Sequence, residues 1–173
     1  MFKYMYKDMM SMLRFVPLGV LFWVLAVGLI LWINGRRVRK GKDKLSVFST
    51  SCFYMYVMIL FTITFFSREN GSGEGLDLQI FSTWGINARN NAYVIENILL
   101  FIPYGFFGAL SASGLRNVFG CMGISFLTSL GIELLQFLSH RGVFQIDDIL
   151  TNVVGSLAGL LLARILKSIF HAR

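Results

Sequence analysis

The chain has 173 residues, 55% of them hydrophobic and 14% charged, with a mean hydropathy of +0.66. A soluble domain of that size has too little interior to hide so much apolar surface, so the composition excludes an ordinary soluble globular protein. The net charge of +7 does not make a nucleic-acid binder: six of the sixteen basic residues, Arg36, Arg37, Arg39, Lys40, Lys42 and Lys44, lie together between two apolar runs. A loop facing anionic headgroups is expected there, whereas reading base edges requires an exposed soluble helix or ribbon.

The apolar residues fall into runs of about twenty, the length that crosses a bilayer as a helix. They predict an all-α, polytopic membrane bundle of about five transmembrane helices. After an aromatic, Met-rich and mildly basic leader, the first span runs from Phe15 to Ile33, with Trp23 inside it and Trp32 at its end. Asn34, Gly35 and the arginines follow, with no small-residue cleavage pattern, so a retained helix is expected rather than a cleaved signal peptide. The second span runs from Leu45 to Phe66. A loop from Ser67 to Ala92 begins polar and flexible, with Glu69, Gly71, Gly73, Glu74, Gly75 and Asp77, and its later Ile80, Phe81 and Trp84 predict contact with the headgroup region.

The third span, from Tyr93 to Ser113, contains Pro103 and Gly105, which predict a kink whose freed carbonyls neighbouring helices satisfy. A short turn at Gly114–Asn117 leads into the fourth span, Val118 to Leu138, and His140-Arg141-Gly142 turns the chain into the fifth, Asp147 to Leu166. Cys52 and Cys121 lie inside apolar runs without motif spacing and read as free thiols. The chain divides into residues 1–92, with two helices, the basic loop and the Gly-rich loop, and residues 93–173, a three-helix core. Ten lysines and arginines (the cluster, Arg116, Arg164, Lys167 and Arg173) fall on one side of the membrane and six on the other (Lys3, Lys7, Arg14, Arg68, Arg89 and Arg141). The positive-inside rule then places the N-terminus outside and the C-terminus in the cytoplasm.

The polar chemistry is not scattered. Glu96 and Asn97 open the third span, Glu133 and Gln136 end the fourth, and Asp147, Asp148 and Asn152 open the fifth. Consecutive spans alternate in direction, so all these positions fall on one face of the membrane, the outer one in this orientation. Glu133 and Gln136, three apart, share a helix face. Asp148, Asn152, Gly155 and Gly159 form a polar-to-small stripe, and Gly155, Ser156 and Gly159 allow another helix close approach. A glutamate at bilayer depth costs about 3 kcal/mol on insertion scales, so it needs a partner or a purpose. Two readings stay open. In one, Glu133 pairs with Arg141 while Asn97 and Asn152 bond helix to helix. In the other, Glu96, Asn97, Glu133, Gln136, Arg141, Asp147, Asp148 and Asn152 form a ligand site, with Arg141 for a phosphate or carboxylate and the amides for sugar or peptide groups. Asp147 and Asp148 also suit the cap and first turn of a helix.

Three blocks resemble the VanZ-like family, named for a teicoplanin-resistance protein: Glu96-Asn97-Ile98-Leu99-Leu100-Phe101-Ile102-Pro103-Tyr104-Gly105, then Glu133-Leu134-Leu135-Gln136, then Arg141 followed by Asp147-Asp148-Ile149-Leu150-Thr151-Asn152-Val153-Val154-Gly155. In order, they cover over a third of the chain; Tyr104 and the Gln145 region depart from the usual pattern. The resemblance implies a multi-pass bacterial membrane protein linked to resistance against glycopeptide antibiotics, especially those with lipid tails. The expected partners are membrane lipids and a lipid-linked cell-wall precursor or lipoglycopeptide, with no nucleic acid, cofactor or metal. Two alternatives remain. One is an enzyme on a lipid-linked substrate, with carboxylates dividing acid and base roles, although no nucleophile elbow or HExxH motif is present. The other is a small proton-coupled transporter or flippase with Glu96 and Glu133 as carriers, which five helices without an internal repeat would build as a homo-oligomer.

Overall fold

In a computed structural model, which describes residues 1–66 and 75–171, the chain is a helical bundle. The elements are α1 (Phe2–Met12), α2 (Val16–Arg39), α3 (Val47–Phe66), α4 (Ala88–Ser111), α5 (Val118–Leu138) and α6 (Ile146–His171), with two-residue strands β1 (Leu76–Asp77) and β2 (Phe144–Gln145). Helices α2 to α6 are each long and apolar enough to cross a membrane. Expectations for Arg68, Glu69, Gly71, Gly73, Glu74 and Arg173 lie outside the described residues.

Four helix ends lie beyond the expected spans: the end of α2, the start of α4 and both ends of α6. α2 continues to Arg39, and Arg36 stacks on the ring of Trp32 at 4.1 Å. Lysines and arginines are good helix formers and snorkel toward headgroups, so nothing in their chemistry stops the helix where the apolar run ends. The following basic turn is closed by the buried Asn34, whose Nδ2 donates to Leu45 O at 2.9 Å while its Oδ1 accepts from Leu45 N at 2.8 Å. α4 starts at Ala88 rather than Tyr93, because Asn87 accepts from the N–H groups of Arg89 and Asn90 and caps the helix there. Asn117 caps α5 in the same way through Gly120 N. α6 begins one residue earlier than expected and runs on to His171.

Pro103 lies inside a continuous α4. The carbonyls one turn before a proline lose part of their helical bonding, and the Tyr56 hydroxyl on α3 donates to one of them, that of Leu100. Tyr104, the departure from the family pattern, is buried and hydrogen-bonded to Thr128 on α5 at 2.9 Å. Around it Leu60, Phe101, Leu115, Ile132 and Leu160 form the core. Cys52 and Cys121 are free and buried.

The closest packing joins α4 to α6. A Cβ on Gly155 would lie 2.2 Å from Ile98 O, one on Gly159 2.0 Å from Ile102 O, and one on Gly105 1.9 Å from Ser156 O. Ile98 meets Gly155 and Ile102 meets Gly159, so the two helices run the same way, backbone against backbone. This is the small-residue approach that the stripe on the last span predicts. Gly159→Ala should therefore destabilise the protein in detergent by about 1–3 kcal/mol or more, the usual overpacking cost. Gly28→Ala, where a Cβ meets nothing within 4 Å, should leave the midpoint unchanged; equal thermal midpoints for the two variants would refute this packing.

Candidate functional site

The polar residues gather where α4 and α6 begin and α3 and α5 end. On α5, Cys121, Ser125, Ser129 and Glu133 recur at every fourth position and all are buried; on α6, Asp148, Asn152 and Ser156 do the same. The two files meet in antiparallel register. Asn152 Nδ2 donates to Ser129 Oγ at 2.8 Å, Cys121 Sγ lies 3.7 Å from Ser156 O, and Glu133 Oε2 accepts from Gln145 N at 3.1 Å. One turn from the Ser129–Asn152 bond toward the polar end, this register brings Glu133 and Asp148 to the same level; they are 2% and 4% exposed.

The α4–α6 contacts bring the third helix into the same layer. With Ile98 against Gly155, Glu96 and Asn97 stand at the level of the Asp148–Asn152 turn, both half-buried. Gln136 faces α3, where Nε2 donates to Thr64 O at 2.7 Å. Arg141 also turns to α3: Nη1 donates to Phe65 O at 3.1 Å and the guanidinium stacks on the Phe65 ring at 4.6 Å.

Asp147 holds a different structure. Its Oδ1 accepts from Phe81 N at 2.7 Å, and its Oδ2 accepts from Thr83 N at 2.9 Å and Ser82 Oγ at 3.4 Å. Thus the first-turn aspartate of α6 anchors the segment before α4 instead of capping its own helix. Asp77 braces the same segment by accepting from Gln79 N and Ser82 Oγ. The parallel bridge of β1 with β2 ties it to the α5–α6 turn.

Three buried oxygens at this end, Gln136 Oε1, Asn152 Oδ1 and Thr83 Oγ1, have no hydrogen-bond partner among the described residues. Orphaned buried acceptors are uncommon, and each marks a place where a further donor can be received. Thr83, Ser125 and Ser129 are absent from the site expected from the sequence. For the two serines the signal was present, in the four-residue spacing that ends at Glu133. For Thr83 there was none, because its contact spans 64 residues along the chain.

The Ser129–Asn152 bond is helix-to-helix glue of the kind found inside membrane bundles. A double-mutant cycle with Ser129→Ala and Asn152→Ala, read by unfolding in detergent, should give a coupling of about 1 kcal/mol; strict additivity would remove the bond.

The family model described as VanZ/LLP1 matches residues 53–167, which takes in most of α3 as well as α4, α5 and most of α6. The chain is also similar to "Protein VanZ" of Enterococcus faecium, being 27% identical over 123 residues that cover 66% of this chain and 72% of that protein. No solved structure matches the chain. With five apolar spans and a family match over more than half its length, the chain belongs to the VanZ/LLP1 family of multi-pass membrane proteins.

Proposed function

We propose that the chain acts in the bacterial cell envelope by engaging a lipid-linked or lipid-tailed molecule at its polar cluster, and so lowers the access of a teicoplanin-type glycopeptide to its target. The observation that carries this reading is the two buried amide oxygens, on Asn152 and Gln136, that have no hydrogen-bond partner among the described residues and lie on the helices that bear Glu133 and Asp148. In a low-dielectric setting an open acceptor favours a ligand that brings donors, such as the hydroxyls, amides or amines of a sugar or peptide head. Glu96 and Asn97 complete the layer from α4. Arg141, beside Phe65, stands at the rim as the group for a phosphate or carboxylate. Asp147 acts through the segment it anchors. Lysine and arginine counts favour the outer leaflet for this face, with the N-terminus outside and the C-terminus cytoplasmic.

The test is resistance in a susceptible host. Glu133→Gln keeps an acceptor for Gln145 N–H, and Asp148→Asn keeps the side-chain shape. Each should return the teicoplanin inhibitory concentration to that of the empty vector, with membrane abundance unchanged on a blot. Full resistance in both variants would overturn the site.

A second reading, proton-coupled transport, draws on the buried seam itself. Cys121, Ser125, Ser129 and Glu133 form a polar file spanning roughly 18 Å of helix, most of the hydrocarbon depth. In proteoliposomes, an imposed pH gradient should then drive proton entry from the acidic side, read by an enclosed pH-sensitive dye, and Glu133→Gln should abolish it. Equal flux in the variant, or none in the parent, would exclude it.

A further inference from the structure

The described segment that precedes α4, residues 75–87, has two unlike sides. Its inner side is polar and bonded: Thr83 is buried, Asp77 is half-buried, and the backbone N–H groups of Phe81 and Thr83 donate to Asp147. Its outer side carries Leu76, Leu78, Ile80, Phe81, Trp84 and Ile86, which are 56–78% exposed. Leu76, Leu78 and Ile80 fall at alternating positions along the start of the segment, as in an extended chain with one wet and one apolar side, and Phe81, Trp84 and Ile86 follow in the turns that lead to α4. Phe81 takes a positive φ of 65°, a conformation uncommon for a bulky residue that the surrounding bonds must hold in place.

A run of large apolar side chains this exposed marks an interaction surface. Its place in the chain selects the partner. It leads directly into α4, whose cap at Asn87 fixes where that span begins. Just beyond the cap, Arg89 Nε donates to the hydroxyl of the exposed Tyr93 at 2.6 Å, a pairing of cation and aromatic suited to headgroup level. Tryptophan with aliphatic neighbours at that level is the composition of an interfacial anchor, not of a water-facing loop.

We propose that residues 75–87 form an interfacial strap, with its apolar side inserted among the lipids of the leaflet that holds the polar cluster and its backbone latched to Asp147. The partner is the bilayer itself. The strap covers the entrance of α6 and must be released from Asp147, or slide sideways in the lipid, before a lipid-borne molecule reaches Asp148 and Asn152. This second step rests on the function proposed above; the insertion does not, and it is measured with no ligand present.

The full-length protein carrying Trp23→Phe and Trp32→Phe keeps Trp84 as its one tryptophan. In phosphatidylcholine–phosphatidylglycerol vesicles, lipid brominated at the 6,7 acyl carbons should quench Trp84 strongly, and aqueous acrylamide weakly. Strong acrylamide quenching with no effect of bromine would overturn the insertion, and would mean that the strap faces water or a soluble partner. A nitroxide on Ile86→Cys, in protein with all three tryptophans, gives the same decision through oxygen against nickel-chelate accessibility. For the latch, Asp147→Ala should speed hydrogen exchange at the Phe81 and Thr83 amides about tenfold or more, as expected for losing bonds to a charged acceptor. Unchanged exchange would show that Asp147 does not hold the strap.

Discussion

The arrangement of this bundle depends on how closely α4 and α6 approach. In hydrocarbon no water drives helices together, so association relies on contact between atoms, and contact is greatest where side chains are missing. Gly105, Gly155 and Gly159 remove them at three places along one seam, and carbonyls of the facing helix occupy the space. The seam does more than stabilise. It sets the register of two helices that start on the same face, and it is through this register that Glu96 and Asn97 reach the layer of Asp148 and Asn152.

Two parallel helices also change the electrostatics of that face. α4 and α6 both begin there, so two N-terminal ends, each equivalent to about half a positive charge, point toward the carboxylates. Asp147 and Asp148 lie in the first turn of α6 and benefit directly. Glu133 lies near the end of α5, where its own helix opposes it, and it is compensated from the neighbour: Oε2 accepts from Gln145 N, the residue just before α6 begins. Acidic side chains that would be costly one at a time at membrane depth are thereby grouped where the backbone already supplies positive ends.

The number of spans and the gathering of polar residues at one end of the bundle were legible in the sequence, because both follow from run length and alternating direction. The span Val118–Leu138 agrees at both ends, since Asn117 caps it and Ser139 follows its last apolar residue. The other ends were harder. Arg36 to Arg39 and Arg89 to Asn91 are polar yet helical, and hydropathy alone cannot tell a helical turn among headgroups from a loop. What lay beyond reach was the pairing of elements distant in the chain. Nothing near Asp147 announces that it holds Phe81 and Thr83, and Arg141, read as an anion clamp, gives no local sign of its contact with Phe65.

That division has a physical origin. Membrane insertion is decided by sums over about twenty residues, so it is written redundantly and survives any one substitution. Site geometry is decided by single hydrogen bonds between segments 12 to 76 residues apart, as in Glu133 with Gln145 and Arg141 with Phe65. Each such bond has one donor and one acceptor, and neither carries a periodic signature. The exception is the file of Cys121, Ser125, Ser129 and Glu133, where helical repetition makes a buried polar face visible as a spacing of four. Its partner on α6 repeats with the same spacing, and two matched repeats on consecutive antiparallel helices are enough to set their register. The seam between α5 and α6 is therefore the part of the site closest to being written in the sequence, and the strap above it the part furthest from it.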